Sequence, residues 1–310
     1  MTQGRPVLVL GATGFLGRHI AEAFAGAGDA VVRAARSGPL RVDLTTIATW
    51  ELAALLHRIR PAVVVNAAGR AWQATDQEMW EANAVAVERL AGAMTDLPDA
   101  PRLIQLGSVH EYGPGTPGTG TTEDRVPAPV TAYGRSKLHG SQAVLAAAGT
   151  TGLDAVVLRL GNVYGPGTAR GSLLGAVGAQ LAQAGDGPLE LRLGPLTARR
   201  DFVDVRDAVD AVRAAATVAG LGPEGRVVNI GSGTAVPTRD LVERLIDLSG
   251  VPVDIVDEGS GGPARADVEW QQLDISKARR LLGWHPRRDP DDSLRDLLAT
   301  ERNDILEGTT

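Results

Sequence analysis

Short, continuous apolar runs recur along the first half of the chain and alternate with longer segments of helical pattern. Such runs are typical of strands buried on both faces of a sheet, and they occupy residues 6–10, 62–66, 102–107 and 153–160. The longer segments, such as residues 18–27, 44–60 and 72–94, predict helices. Strands that alternate with helices in this way predict an α/β fold with a doubly wound parallel sheet.

A glycine-rich turn follows the first predicted strand and opens the first predicted helix. Its spacing is G-x-x-G-x-x-G. The first glycine permits a tight turn, the second lets the backbone approach a pyrophosphate, and the third lets the helix pack close to the strand. Backbone N–H groups at the helix start can then hold phosphate. The strand, turn and helix predict a Rossmann-type dinucleotide site, with contacts from Gly11, Thr13, Gly14, Phe15, Leu16 and Gly17.

The end of the second predicted strand, residues 30–35, indicates which dinucleotide binds. NAD-binding chains often have an acid there, which accepts a hydrogen bond from the ribose 2′-OH. Here Arg36 and Ser37 follow the strand and suit a 2′-phosphate. We therefore expect NADP(H); the alternative is NAD, with Arg36 a surface residue only. Further cofactor contacts are expected at an acid after the next β-like turn and at small residues that end the strand 62–66: Asp43, Leu44, Asn66, Ala67, Ala68 and Gly69.

Tyr133 and Lys137 stand at the head of a helical pattern that continues over residues 138–148. Residues four apart lie on one face of a helix, and a neighbouring ammonium lowers the pKa of a phenol. The pair could therefore exchange a proton with an alcohol or a ketone; the alternative is a solvated surface pair. Ser108, at the end of the strand 102–107, is the third candidate catalytic residue.

The predicted site residues lie at the carboxyl ends of predicted strands, where ligands of doubly wound sheets bind. After residue 167 the elements become shorter and predict a smaller C-terminal α/β substrate domain. We assign residues 1–165, joined by 200–232, to a dinucleotide-binding domain. Residues 166–199 and 233–310 are assigned to a substrate-binding domain.

Composition excludes several other classes of protein. The 310 residues carry a net charge of −6, which disfavours a general nucleic-acid binder. The chain has no cysteine, and its five histidines lack ligand spacing, so we expect neither a disulfide framework nor a metal site. Without a secretory segment or a membrane-spanning apolar run, the chain is expected to be cytoplasmic.

Further motifs follow in order along almost the whole chain. They comprise Arg159-Leu160-Gly161-Asn162 with Gly165-Pro166-Gly167, then Arg200-Asp201-Phe202, Asn229-Ile230-Gly231 and Leu282-Gly283-Trp284. Together with the glycine turn, Ser108 and the Tyr133–Lys137 pair, they resemble the nucleotide-sugar-modifying members of the extended short-chain dehydrogenase/reductase family. The resemblance is very specific for the family and much less specific for the substrate.

The resemblance implies a role for each matching residue. Tyr133 would be the acid or base at the sugar oxygen, Lys137 would lower its pKa and bind the nicotinamide ribose, and Ser108 would polarise the same oxygen. A nucleoside diphosphate-sugar would be bound by Ser108, His110, Glu111, Asn162, Arg200 and Arg265. For His110 the alternative is a loop histidine bonded to backbone, and for Arg265 a solvated loop arginine.

The resemblance also implies a homodimer, formed through helices 72–94 and 138–148. These helices are rich in alanine, which would equally suit packing within one chain.

Three reactions are open to this family. Its 4,6-dehydratases have Asp-Glu after the catalytic Thr, where this chain has Val109 and His110. Its UDP-galactose-type epimerases usually have an acid where this chain has Arg36. The motifs look most like those of GDP-4-keto-6-deoxymannose reductases and related ketoreductases. We therefore expect NADPH-dependent reduction of a nucleoside diphosphate-4-keto-6-deoxyhexose at C4; the alternatives are an NAD(P)-dependent epimerase or dehydratase, or a non-catalytic NADP-binding regulatory protein.

Overall fold

A computed structural model of the chain describes residues 4–95, 97, 99–185, 187–257 and 268–308. Its strands are β1 Val7–Leu10, β2 Val31–Ala35, β3 Leu40–Arg41, β4 Val63–Asn66, β5 Arg102–Ser108, β6 Ala155–Leu160, β7 Asn162–Tyr164, β8 Leu189–Leu193, β9 Arg199–Asp204, β10 Val227–Ile230, β11 Ala235–Pro237 and β12 Val253–Asp257. Its α-helices are α1 Phe15–Gly26, α2 Thr49–Ile59, α3 Asp76–Trp80, α4 Ala86–Thr95, α5 Ala132–Thr151, α6 Leu173–Ala182, α7 Val205–Thr217, α8 Thr238–Ser249, α9 Ser276–Leu282 and α10 Pro290–Gly308.

Seven parallel strands form the main sheet, in the order β10-β6-β5-β4-β1-β2-β3. Because β1 lies between β4 and β2, the strand order reverses direction beside β1, which is where doubly wound sheets bind ligands. The predicted Rossmann-type fold is confirmed.

Hydrophobic cores cover both faces of this sheet. Successive side chains of β1 alternate between them, as in any strand: Val7 and Val9 face the core that includes α1 and α7, whereas Leu8 and Leu10 face α2, α4 and α5. Burial on both faces explains why each central strand is a continuous apolar run rather than an alternating one.

Two smaller sheets complete the fold, one of β11, β9 and β7 and one of β12 and β8. A third core packs the second of these against α6, α8 and α10. Strand β10 joins the large sheet, whereas β9 pairs with β7 and β11; the predicted domain boundaries stay a prediction. No helix in the described part of the chain is both long and apolar enough to cross a bilayer.

Two helices begin later than the pattern predicts. The segment 44–60 becomes helical only at Thr49, because backbone N–H groups of Thr46 and Ile47 first close a turn onto the Asp43 carbonyl. The segment 72–94 starts after Thr75, whose hydroxyl accepts a hydrogen bond from the Glu78 N–H and caps the helix. It continues through a π-helical turn, Glu81–Val85, into α4.

Candidate active site

The glycine turn between β1 and α1 brings three backbone segments together. Gly11 has φ of +75°, and a Cβ there would lie 2.7 Å from the Ala68 nitrogen. A Cβ on Gly17 would lie 2.0 Å from the Gly11 carbonyl oxygen, so the helix packs directly on the turn. Gly14 is the N-cap of α1 and makes no side-chain cap. The first-turn N–H groups of α1 are therefore suited to bind an anion.

A cavity of about 160 Å³ lies beside this turn. Its lining includes nine of the predicted cofactor contacts, namely Gly11, Thr13, Gly14, Arg36, Asp43, Leu44, Ala67, Ala68 and Gly69. Phe15, Leu16, Gly17, Ser37 and Asn66 are predicted contacts outside this lining. Asn66 is buried beneath it: its amide donates to the Gln105 Oε1 at 2.8 Å, and its Oδ1 accepts from the Ala68 N–H.

Two arginines flank the carboxylate at this cavity. The Thr45 hydroxyl donates to Asp43 Oδ1 at 2.6 Å and is the largest cause that lowers the pKa of Asp43. The positive charges of Arg36 and Arg70 lower it further. Arg70, which is not among the predicted contacts, directly follows Gly69 and lines the same cavity.

Asn83, in the π-helical turn, fixes the loop that carries Arg70. Its Oδ1 accepts from the Arg70 N–H at 2.9 Å, and its Nδ2 donates to the Arg70 carbonyl at 2.7 Å and to Ser136 Oγ at 3.1 Å. A Cβ on Gly69 would lie 2.7 Å from the same Oδ1. The asparagine therefore shapes the cavity wall by bonding both the N–H and the carbonyl of one residue.

The side chains of Ser108 and Tyr133 meet at the carboxyl edge of the main sheet. Ser108 ends β5 and caps a 3₁₀ turn, Val109–Tyr112. Tyr133 lies in the first turn of α5, whose N-terminus packs so closely on this turn that a Cβ on Gly134 would lie 2.5 Å from the His110 carbonyl oxygen. The rings of His110 and Tyr133 meet edge to face, with centroids 5.6 Å apart.

The sequence predicts a lowered pKa for Tyr133, but in this structure the pKa is raised. Burial raises the pKa of Tyr133 to about 12, a hydrogen bond with Ser108 lowers it, and the negative charge of Glu111 raises it. Lys137 is 7% exposed, and its ammonium donates to the Leu106 carbonyl at 2.5 Å. Burial lowers the pKa of Lys137, and the charge of Glu111 opposes that shift. The Tyr133 phenol therefore stays protonated at neutral pH, and its burial makes it a weaker acid than a solvent-exposed tyrosine.

Several predicted substrate contacts have other partners in this structure. Glu111 is fully buried, and its carboxylate accepts hydrogen bonds from the Ser108 N–H, Ser141 Oγ and Arg159 Nε. This burial does not fit the sugar contact predicted for it. The Asn162 amide donates to the Asp201 carbonyl at 3.1 Å and so ties β7 to β9. Arg200 lies half-buried in β9, and His110 lies beside Tyr133. Arg265 falls outside the described residues.

Two side chains of α1 reach from the cofactor turn to the loop after β7. Arg18 Nη2 donates to the Gly167 carbonyl at 2.5 Å, and His19 Nε2 lies 2.9 Å from the Pro166 carbonyl oxygen. The predicted glycine-proline-glycine motif is therefore held by α1, the helix that follows the glycine turn.

Known proteins resemble this chain over most of its length. A model of the "NAD dependent epimerase/dehydratase family" matches residues 7–231. The chain is 43% identical over 305 residues to a dTDP-6-deoxy-L-talose 4-dehydrogenase (NAD(P)(+)) of Kitasatospora kifunensis, over 95% of each protein. It is 30% identical over 190 residues to a GDP-6-deoxy-D-mannose reductase of Pseudomonas aeruginosa, over 60% of each.

Solved structures show the same fold. RMD from Pseudomonas aeruginosa complexed with NADPH matches with a TM-score of 0.81 and 25% identity, over 96% of this chain and 99% of that one. MoeE5 in complex with UDP-glucose and NAD matches with a TM-score of 0.82 and 28% identity, over 97% and 99%. The chain therefore belongs to the NAD-dependent epimerase/dehydratase family of extended short-chain dehydrogenases/reductases, as its motifs predict.

Proposed function

We propose that this chain reduces a nucleoside diphosphate-4-keto-6-deoxyhexose at C4, with NADPH as the preferred hydride donor. The observation that carries the proposal is the hydrogen bond between the side chains of Ser108, at the end of β5, and Tyr133, at the start of α5. A ketone that gains a hydride needs a proton on its oxygen, and a phenol with a pKa of about 12 is protonated at neutral pH.

The residues of the glycine turn fit a nicotinamide dinucleotide. Gly11 packs so closely on the backbone of Ala67 and Ala68 that a Cβ would lie 2.7 Å from the Ala68 nitrogen, as the tight turn of a dinucleotide site requires. The uncapped start of α1 suits a pyrophosphate. Arg36, at the end of β2, carries a positive charge into the lining of the cavity and suits a 2′-phosphate, because guanidinium groups match phosphate oxygens. A reduced nicotinamide, when bound, supplies the hydride.

The chain's own groups supply the proton and the polarisation. The Tyr133 hydroxyl donates its proton to the C4 oxygen. The Ser108 hydroxyl donates a hydrogen bond to the same oxygen and stabilises the negative charge that develops on it. Lys137, one turn further along the same helix, is buried and donates to the Leu106 carbonyl; in the proposed reaction it binds the nicotinamide ribose.

Two features favour this reaction over dehydration. Elimination across C5–C6 needs an acid–base pair beside the reacting sugar, but Val109 stands at the first of those positions and is 2% exposed within the core. The relative that is 43% identical has a name that places its oxidoreduction at position 4 of a dTDP-6-deoxysugar. A 4-epimerase is the second candidate, because a UDP-glucose 4-epimerase of Mycolicibacterium smegmatis is 28% identical over 90% of this chain.

The test is NADPH oxidation, followed by absorbance, with a panel of dTDP- and GDP-4-keto-6-deoxyhexoses and with NADH in parallel. We expect NADPH to be consumed with at least one of these sugars, and faster than NADH. Tyr133→Phe is the control: it should still bind NADPH but lose about 10²-fold or more in kcat, because general acid catalysis contributes that much.

Each other outcome would point to a different function or to a different catalytic residue. Conversion of a 4-hydroxy sugar to its C4 epimer without net NADPH oxidation would identify an epimerase. Cofactor binding without turnover of any sugar would identify a regulatory protein. Turnover that survives Tyr133→Phe would show that the acid has been assigned to the wrong residue.

A further inference from the structure

A buried ion pair lies directly beneath Ser108. Glu111 is 0% exposed and Arg159, in β6, is 3% exposed. Arg159 Nε donates to Glu111 Oε2 at 2.7 Å, and its guanidinium lies 4.3 Å from the centroid of the Tyr112 ring. Burying two charges is costly unless their remaining hydrogen bonds are satisfied, so the partners of Glu111 decide what the pair does.

The Glu111 carboxylate joins three elements of the candidate active site. Its Oε1 accepts from the Ser108 N–H at 2.9 Å, at the end of β5, and from Ser141 Oγ at 2.9 Å, on α5. The same carboxylate binds β6 through Arg159. Ser141 lies one helical turn beyond Lys137. The strand that carries Ser108 and the helix that carries Tyr133 therefore share one hydrogen-bond acceptor.

The backbone around Ser108 is built to admit this carboxylate. A Cβ on Gly107 would lie 2.7 Å from Glu111 Oε1 and 3.3 Å from Arg159 Cγ. The serine and the glutamate also cap each other: the Ser108 hydroxyl accepts from the His110 N–H at 3.2 Å, while Glu111 accepts from the Ser108 N–H. This reciprocal cap fixes the backbone from which the Ser108 hydroxyl projects.

We propose that Glu111 is a positioning residue for the reduction proposed above, and that it acts by holding the Ser108 hydroxyl against the Tyr133 phenol. It touches Ser108 and α5 but lies too deep to reach a substrate. The inference rests on the proposed function, because it gives Glu111 a role in that reaction. The opposing explanation is that Glu111 only neutralises Arg159 and contributes to folding alone.

A double-mutant cycle separates these explanations, since residues that act through one another are not additive. Glu111→Gln keeps the shape and hydrogen-bond acceptor but removes the charge. Because that change leaves Arg159 buried and unpaired, Glu111→Gln/Arg159→Met is made as well, so that both charges are removed together. Each is combined with Ser108→Ala, and kcat, KM, the NADPH Kd and the melting temperature are measured for all variants on the ketosugar that the wild-type protein reduces.

With Ser108 present, we expect both Glu111 variants to lower kcat about tenfold or more, because a misplacement of about 1 Å costs up to about 10²-fold. The KM and the NADPH Kd should stay within about threefold, since Glu111 contacts neither ligand. With Ser108→Ala, the same changes should lower kcat less than about twofold further. Asp204→Asn is the matched control, because Asp204 is another buried, arginine-paired carboxylate; it should lower the melting temperature with little change in kcat.

Equal losses of kcat with Ser108 present and in the Ser108→Ala background would overturn the inference, as would a folded Glu111 variant with wild-type kcat. In both cases Glu111 would be a structural residue only. A wild-type protein that reduces no ketosugar would instead overturn the proposed function, and the inference with it.

Discussion

Gly17→Ala is predicted to damage the cofactor turn, although alanine is the better helix former. The added Cβ would lie 2.0 Å from the Gly11 carbonyl oxygen and 2.7 Å from the Gly11 carbonyl carbon. Both are backbone atoms of the turn, so no side chain can rotate away. Restoring a carbon–oxygen separation of about 3.3 Å would shift the first turn of α1 by about 1.3 Å relative to Gly11.

The magnitude follows from two opposing terms. Overpacking of this kind costs about 1–3 kcal/mol, and the upper end applies because backbone must move. Replacing glycine by alanine inside a helix regains about 1 kcal/mol. We therefore expect a net loss of about 1–2 kcal/mol in the free energy of unfolding. Losing one phosphate hydrogen bond of about 1.5–3 kcal/mol should raise the NADPH Kd by about 10- to 100-fold.

Gly26→Ala is the matched control, because it makes the same change at the other end of α1. A Cβ at Gly26 meets no atom within 4 Å, so this variant should be as stable as wild type or slightly more so. Urea denaturation gives the stabilities, and quenching or enhancement of NADPH fluorescence gives the Kd. The reasoning is refuted if Gly17→Ala matches Gly26→Ala in both stability and NADPH affinity.

Three further predictions concern cofactor choice, pH and assembly. Arg36→Ala should raise the NADPH Kd by about 10-fold or more and the NADH Kd less than threefold in fluorescence titrations; equal losses would remove Arg36 from the 2′-phosphate site. Burial raises the pKa of Asp204, but hydrogen bonds from Arg206 and Ser293 outweigh burial and hold the pKa below its ordinary value of 3.8. The charged Asp204 carboxylate therefore stabilises the fold above pH 3.8. Asp204→Asn should therefore cost about 2 kcal/mol at pH 7 and progressively less below about pH 4, as measured by urea midpoints; a deficit independent of pH would contradict this. Trp80 is 42% exposed on α3, and its ring lies tilted against that of His139 of α5, so we expect it in the proposed homodimer interface. Trp80→Ser should yield monomers in sedimentation velocity with unchanged NADPH binding, whereas a persistent dimer would place the interface elsewhere.

Most of the fold could be predicted from the sequence, because the central strands have an apolar pattern that can be recognised locally. Burial on both faces makes β1, β4 and β6 continuous apolar runs, and the glycines of the cofactor turn are required by close backbone contacts that few other residues permit. The strands β7 and β11 have only three residues each and were not predicted. They form by pairing with β9, and so depend on contacts between distant parts of the chain.

The candidate site was predictable in its positions but not in its electrostatics. Ser108 and Tyr133 meet in the structure, because each lies at a strand end or helix start that the pattern fixes. Their catalytic roles stay a prediction. The direction of the Tyr133 pKa shift depends on burial, which no local spacing reveals. For Glu111 a local signal did exist: serine followed three residues later by glutamate is a capping-box pattern, and it indicates a carboxylate turned back toward its own backbone.

The alanines of the first predicted dimer helix are buried by packing within the chain, whereas Ala146 of α5 is exposed. Ala82, Ala84 and Ala86 are buried, and a Cβ on Gly140 of α5 would lie 2.1 Å from the Asn83 carbonyl oxygen. Helix α5 and the π-helical turn therefore approach each other as closely as two backbones allow. Small residues here serve that intramolecular contact, whereas Trp80 is 42% exposed and is the residue at which we predict contact with a second subunit.

The link from Arg18 and His19 to the carbonyls of Gly167 and Pro166 has a consequence for attempts to redesign this protein. One way to redesign the cofactor site would be to exchange the first turn and helix as a single segment. In this chain such an exchange would also remove the two side chains that hold the loop leading into α6. A redesign should therefore transfer residues 11–19 and 165–167 together, or retain Arg18 and His19 in the new helix.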